Sequence, residues 1–202
     1  MDFFFKYLAG INLLSFSLYL IDYLRFSQTG GINEHWSICN IASVLGGAPG
    51  TLLAYICFDR RFDKPNRFRI VLAVCMLVLQ AAACLATYMI MNGTADRVGT
   101  EGFLSGIQSF GREHMMFWYC LLGMNAVTAL LFAADKYKAV KKRRRIPEYI
   151  LLMMSFFGGS IGGLCAMHAV RHKTSSIQFS LGIPMMIMTQ TAVLILWAVL
   201  SL

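Results

Sequence analysis

Charge is scarce in this chain. Asp, Glu, Lys and Arg make up 14% of its 202 residues, where a soluble domain carries about 25%. Acidic residues are the rarest of these, 10 against 18 Lys plus Arg, which leaves a formal net charge of +8. Prolines number four, and no two of the six cysteines stand in a C-x-x-C pair. The chain also has no H-E-x-x-H, no phosphate-cradling Gly-Lys-Ser loop and no G-x-S-x-G elbow. These absences exclude a conventional soluble enzyme, a disulfide scaffold and a disordered polymer. What is present is apolar: 57% hydrophobic residues, 15 Phe and 13 Met, with a mean hydropathy of +0.61. A soluble domain of this size could not hide so much apolar surface.

Six long stretches carry no formal charge, at 7–21, 36–58, 70–95, 114–134, 149–170 and 174–202. About 20 apolar residues suffice for a spanning helix, and the backbone of such a segment must satisfy itself within the bilayer. The first stretch reaches that length once 3–5 are added and Lys6 snorkels to the interface. The expected fold is therefore all-α and integral to a membrane, with six transmembrane helices. The N-terminus lacks a basic leader and a small-residue cleavage site, so the first stretch reads as a retained span. If the six spans alternate, one side collects 13 Lys and Arg and the other five. The positive-inside rule then makes both termini cytoplasmic. The six cysteines all fall in apolar stretches and read as small apolar residues.

The chain also repeats with an offset of about 112 residues. Asn12 precedes Asp22 by ten positions, as Asn125 precedes Asp135. Ile32-Asn33-Glu34 parallels Ile146-Pro147-Glu148, and Gly46-Gly47-Ala48-Pro49-Gly50 parallels Gly158-Gly159-Ser160-Ile161-Gly162. Arg60-Arg61 falls near His172-Lys173, and Gln80 near Gln190. The division this suggests is a degenerate first repeat at 1–91, a polar linker at 92–113 and a second repeat at 114–202. Three spans per copy is an odd number, so the six helices would form two inverted three-helix repeats. The small residues spaced by four (Gly46, Gly50, Ala54; Gly158, Gly162, Ala166) suit a close helix crossing. That crossing would lie either between the copies or within each one.

The second half closely resembles the bacterial membrane family called domain of unknown function 1294. The resemblance rests on Asn125, Ala134-Asp135-Lys136, Ile146-Pro147-Glu148, Gly158-Gly159-Ser160 with Gly162, Arg171-His172-Lys173-Thr174, Phe179 and Gly182-Ile183-Pro184. It implies an integral membrane protein of the family's fold and brings no established activity. The first half keeps Asn12, Asp22 and the glycines but has Tyr23 where the Lys is expected. It also has Asn33 in place of the Pro, so a family-type site is expected in the second copy.

Polar groups in or beside spans are costly and tend to be functional. The candidate binding residues are Arg171, His172, Lys173, Asp135, Glu148 and Asn125. In the six-span topology Arg171-His172-Lys173 faces outward and can hold a phosphate or carboxylate. Asp135 and Glu148 then lie about 30 Å away at the cytoplasmic face. That separation argues against an acid–base pair of His172 with Glu148. Glu148 after Pro147 also fits a helix start. Asn125 near mid-membrane calls for a partner such as Gln190 or a backbone carbonyl. His168 and His172 share the i, i+4 spacing of metal ligands but lack a third, so no metal and no cofactor are expected. The run Lys141-Lys142-Arg143-Arg144-Arg145 reads as a topology signal touching anionic lipid headgroups, not as a nucleic-acid site. Asn92-Gly93-Thr94 is formally a glycosylation sequon and carries little weight here. The function expected is a small transporter, channel or lipid-handling protein for an anionic solute or headgroup in a bacterial plasma membrane. An intramembrane enzyme or an accessory subunit is the alternative, and a homo-oligomer is compatible with either.

Overall fold

The computed structural model describes residues 2–29, 36–58, 64–91 and 108–200. Glu34 with its neighbour Asn33, the pair Arg60-Arg61, the Asn92 sequon and the linker up to residue 107 lie outside them. The described residues are helical, with no strand among them, and six segments are long and apolar enough to cross a membrane. The chain divides into two compact units, Met1–Ala81 and Ala82–Leu202.

The first unit holds α1 (Asp2–Thr29), α2 (Trp36–Ala42), α3 (Ala48–Phe58) and the start of α4 (Lys64–Met91). The second holds α5 (Met115–Val140), α6 (Glu148–Met154), α7 (Ser160–Ala169), the short α8 (Ile177–Ser180) and α9 (Gly182–Leu200). The helix α6 begins behind Pro147, whose ψ of 135° stops any earlier turn, and carries Glu148 in its first turn.

The apolar segments 38–58 and 148–169 are not continuous rods. Between α2 and α3 lies the π-helical break Ser43–Gly47, and between α6 and α7 lies Ser155–Gly159. In these breaks Gly46 has φ 121° and Gly158 has φ 111°, a backbone that residues with a Cβ adopt only under strain. The chain turns back there. In the first unit, Gly46 and Gly50 both meet Asn12 on α1. Ten residues along α1, Asp22 meets Cys39 at the start of the broken segment, and the ring of Tyr23 lies 6.2 Å from that of Phe58 at its end. Both arms thus run beside one stretch of α1.

The second unit repeats this arrangement within itself. Asn125 on α5 bonds Gly158 and Gly162 at the tip, while Asp135 bonds Ile146 and His172 beyond the two arm ends. Each arm of about ten residues is roughly 15 Å long, half the thickness of a hydrocarbon core. The small residues serve this packing. A Cβ on Gly50 would collide with the Asn12 backbone, and one on Gly162 with the Asn125 backbone. Of the two crossings the spacing allowed, these glycines make the one inside each unit.

A broken helix frees backbone groups that hydrocarbon cannot satisfy, and two side chains of each unit answer them. Asn125 Nδ2 donates to the Gly158 carbonyl at 2.7 Å, and its Oδ1 accepts from the Gly162 amide at 2.7 Å. Gln190 Nε2 donates to the carbonyls of Ser155 and Phe156 at 2.9 and 2.8 Å, and its Oε1 takes the Ser160 hydroxyl. In the first unit Asn12 bonds Gly46 and Gly50 at 3.2 and 2.8 Å, and Gln80 donates to Ser43 at 3.2 Å.

At the other end of the second unit, the start of α5 and the end of α9 are joined by aromatic rings. Trp197 packs edge-on against Phe110, His114 and Phe117, with centroids 4.7, 4.7 and 5.3 Å away. Tryptophan is the member of this cluster that is enriched at membrane–water interfaces. From Trp118 to Asp135 the helix rises about 26 Å.

Candidate functional site: a buried carboxylate at the open end of the hairpin

Asp135 sits near the C-terminal end of α5 with its side chain fully buried. Its Oδ1 accepts the Ile146 amide at 2.9 Å, which ties down the end of the basic loop. Its Oδ2 accepts His172 Nε2 at 3.0 Å and lies 3.4 Å from Lys173 Nζ. Lys173 also reaches Glu148 Oε1 at 3.6 Å and lies over the ring of buried Phe179 at 4.7 Å. One carboxylate thus holds the loop before α6 and the loop after α7 against α5.

This geometry overturns one expectation from the sequence. Arg171-His172-Lys173 was expected at the membrane face opposite Asp135 and Glu148. The structure brings His172 and Lys173 onto those two carboxylates. The reason is the reversal at Gly158. Had 148–169 been one rod, Glu148 and Lys173 would stand more than 30 Å apart.

The remaining candidates fall in different places. Arg171 is exposed, and Lys141, Lys142, Arg143, Arg144 and Arg145 are exposed as well. Because Asp135 anchors both loops, these six cations collect at one end of the unit. Asn125 is not part of this cluster. It lies at the hairpin tip with its carboxamide engaged by backbone. His168 is exposed on α7, its Nδ1 3.0 Å from the Leu164 carbonyl, and no cluster of three His, Cys, Asp or Glu occurs among the described residues.

The first unit builds a different cluster around its own buried carboxylate. Asp22 Oδ2 lies 3.4 Å from Arg69 Nη2 and accepts the Cys39 thiol at 3.4 Å. Arg69 is itself buried, 5.7 Å from the Tyr19 ring. Sequence reasoning missed both partners. Arg69 stands at the margin of an apolar stretch, where a cation reads as a loop charge, and a pair separated by 47 positions leaves no local pattern.

The family model described as "Protein of unknown function (DUF1294)" matches residues 125–179. A DUF1294 domain is present. The matched stretch opens at the tip-binding Asn125 and closes at Phe179 beneath Lys173, so the DUF1294 domain contains the whole hairpin and all four members of the ionic cluster. No curated protein and no solved structure matches the chain.

Proposed function

We propose that the protein is a multi-pass membrane protein of a bacterial plasma membrane that binds the anionic headgroup of a membrane amphiphile at the basic end of its DUF1294 domain. The observation that carries this reading is the gathering of exposed Arg171 with the exposed run 141–145 around a carboxylate whose charge is already matched. Each Lys or Arg near a membrane surface contributes about 1 kcal/mol of attraction for anionic lipid. The six cations are free to act outward, whereas Lys173 is engaged inward.

The hairpins also revise the expected topology. Six crossings as two inverted repeats require 38–58 and 148–169 to traverse the bilayer. Read as re-entrant arms, they leave each unit with two crossings, and each unit starts and finishes on one side. In the second unit Lys136, Lys138, the run 141–145, Arg171 and Lys173 then belong to the hairpin-entry side and Arg112 to the other. This bias exceeds the one that the six-span reading gives the same residues. It favours a cytoplasmic basic end and puts the end of α9 on the opposite side, the reverse of the sequence expectation.

A conducting path through mid-membrane is the weaker alternative. Discontinuous helices in transporters offer their free backbone groups to a solute. Here Asn and Gln side chains occupy those groups in both units, which favours a closed tip and work at the membrane surface.

The test is native mass spectrometry of the detergent-purified protein with added phosphatidylglycerol or phosphatidylcholine. Retention of phosphatidylglycerol over phosphatidylcholine is expected. It should fall at least about tenfold when Lys141 to Arg145 and Arg171 are all changed to Gln, given about 1 kcal/mol per cation. Equal retention of the two lipids, or no loss in the variant, overturns the reading.

A further inference from the structure

We propose that His172 is a proton-transfer site, with Nδ1 as the open acceptor and Asp135 as its positioning residue. Its substrate class is the hydroxyl-bearing headgroup of an anionic amphiphile, and that assignment of substrate rests on the headgroup reading above.

The hydrogen bond to Asp135 sets the chemistry. A carboxylate accepts, so His172 donates, and the hydrogen of the neutral ring resides on Nε2. The lone pair is then on Nδ1. That nitrogen has no hydrogen-bond partner among the described residues, and it is not among their buried unpartnered atoms. The side chain keeps 15% of its surface accessible while Asp135 keeps none. An imidazole oriented by a buried carboxylate, with its other nitrogen open, is the acid–base half of many hydrolytic sites. The charged groups around it are Asp135 on α5, Glu148 on α6, and Arg171 and Lys173 on its own loop.

Two further observations separate this from a merely structural histidine. His172 is flanked by two residues in left-handed backbone, Arg171 at φ 45° and Lys173 at φ 61°. Neither is glycine, and such positions cost about 1–3 kcal/mol each, which concentrates them at functional sites. In addition, the first unit neutralises its buried Asp22 with Arg69, a group that does not release a proton. Neutralisation alone does not call for an imidazole, and Lys173 already supplies a cation to Asp135.

The step is a single proton transfer. The O–H bond of the bound headgroup hydroxyl breaks, an N–H bond forms at Nδ1, and the electron pair stays on oxygen. The resulting imidazolium faces the Asp135 carboxylate, and the proton returns from Nδ1 to the same headgroup oxygen, which closes the step.

The test is nitrogen-15 NMR of histidine-labelled full-length protein in detergent, with the His172 signal assigned by its loss in H172Q. The Gln side chain keeps an amide donor for Asp135, so this variant is expected to fold. At alkaline pH the wild-type signal should report the Nε2–H tautomer, and D135N should redistribute it. Adding phosphatidylglycerol should shift the Nδ1 resonance of His172, because a headgroup hydroxyl donating to that lone pair changes its surroundings. An Nδ1–H tautomer overturns the proton-transfer site whatever the lipid does. Should the tautomer be as expected and H172Q still retain phosphatidylglycerol, an unmoved Nδ1 resonance overturns the headgroup as substrate. Loss of lipid preference on neutralising 141–145 and Arg171 bears only on the headgroup reading.

Discussion

Lys173 Nζ lies 3.6 Å from Glu148 Oε1, although the two residues stand at opposite ends of an apolar stretch of 22 residues long enough to cross a bilayer. A continuous helix cannot bring them together, so the contact reports the reversal at Gly158 directly. It also gives the clearest topological test. Single cysteines replacing Arg144 and Ser175, both exposed, should respond alike to an impermeant maleimide added to intact cells. Neither should react if the basic end is cytoplasmic. Reaction of one and protection of the other would restore a spanning 148–169 segment.

The glycine at the turn should be hard to replace. At φ 111° a side chain strains the backbone by about 1–2 kcal/mol, and a Cβ on Gly158 would also press on Leu121. Gly158→Ala is expected to lower the unfolding midpoint in detergent measured by thermal-shift fluorescence. Gly162→Ala should lower it more, because its Cβ meets the Asn125 backbone and not a flexible side-chain end. A neutral Gly162→Ala would mean that α7 does not pack on α5 as described.

Asn125 should prove structural in effect. Its carboxamide satisfies one carbonyl and one amide of the tip, and stranding a buried polar group costs about 1–3 kcal/mol. Asn125→Leu therefore should destabilise the protein by a few kcal/mol without altering its preference for phosphatidylglycerol in native mass spectrometry. Asn12→Leu should behave the same way. A lipid-specific loss with unchanged stability would return Asn125 to the list of ligand-binding residues.

Much of this was legible before the structure, and the part that was not has a physical cause. Apolar length marks every segment able to span, and the paired Asn, Gly and Gln positions mark the same hydrogen bonds in both units. The reversal at Gly158 is invisible because a Gly-Gly pair inside an apolar run also reads as close helix packing. Everything downstream of that turn inherits the error. Charges on the 170–176 loop are placed far from Asp135 and Glu148, and His172 is separated from an Asp that lies 37 positions away in sequence and 3.0 Å away in space. The left-handed backbone at Arg171 and Lys173 is likewise hidden, since no glycine announces it.

The ionic cluster should divide into a strong part and a weak part, and double-mutant cycles can separate them. Asp135 has no exposed side-chain surface, and removing one partner of a buried pair costs about 3–5 kcal/mol. Glu148 retains 25% of its side-chain exposure, and an ion pair so open to solvent contributes about 0.2–1 kcal/mol. Asp135→Asn should therefore destabilise the protein far more than Glu148→Gln, as read by denaturation in mixed micelles. The Lys173–Glu148 coupling should stay below about 1 kcal/mol, because Lys173 keeps its contact with Asp135 when Glu148 is neutral. The Asp135–His172 coupling should be the larger of the two, since the pair shares a buried oxygen at 3.0 Å. Equal couplings would show that Asp135 is as wet as Glu148. The loop anchor and the histidine's orientation would then both need another source.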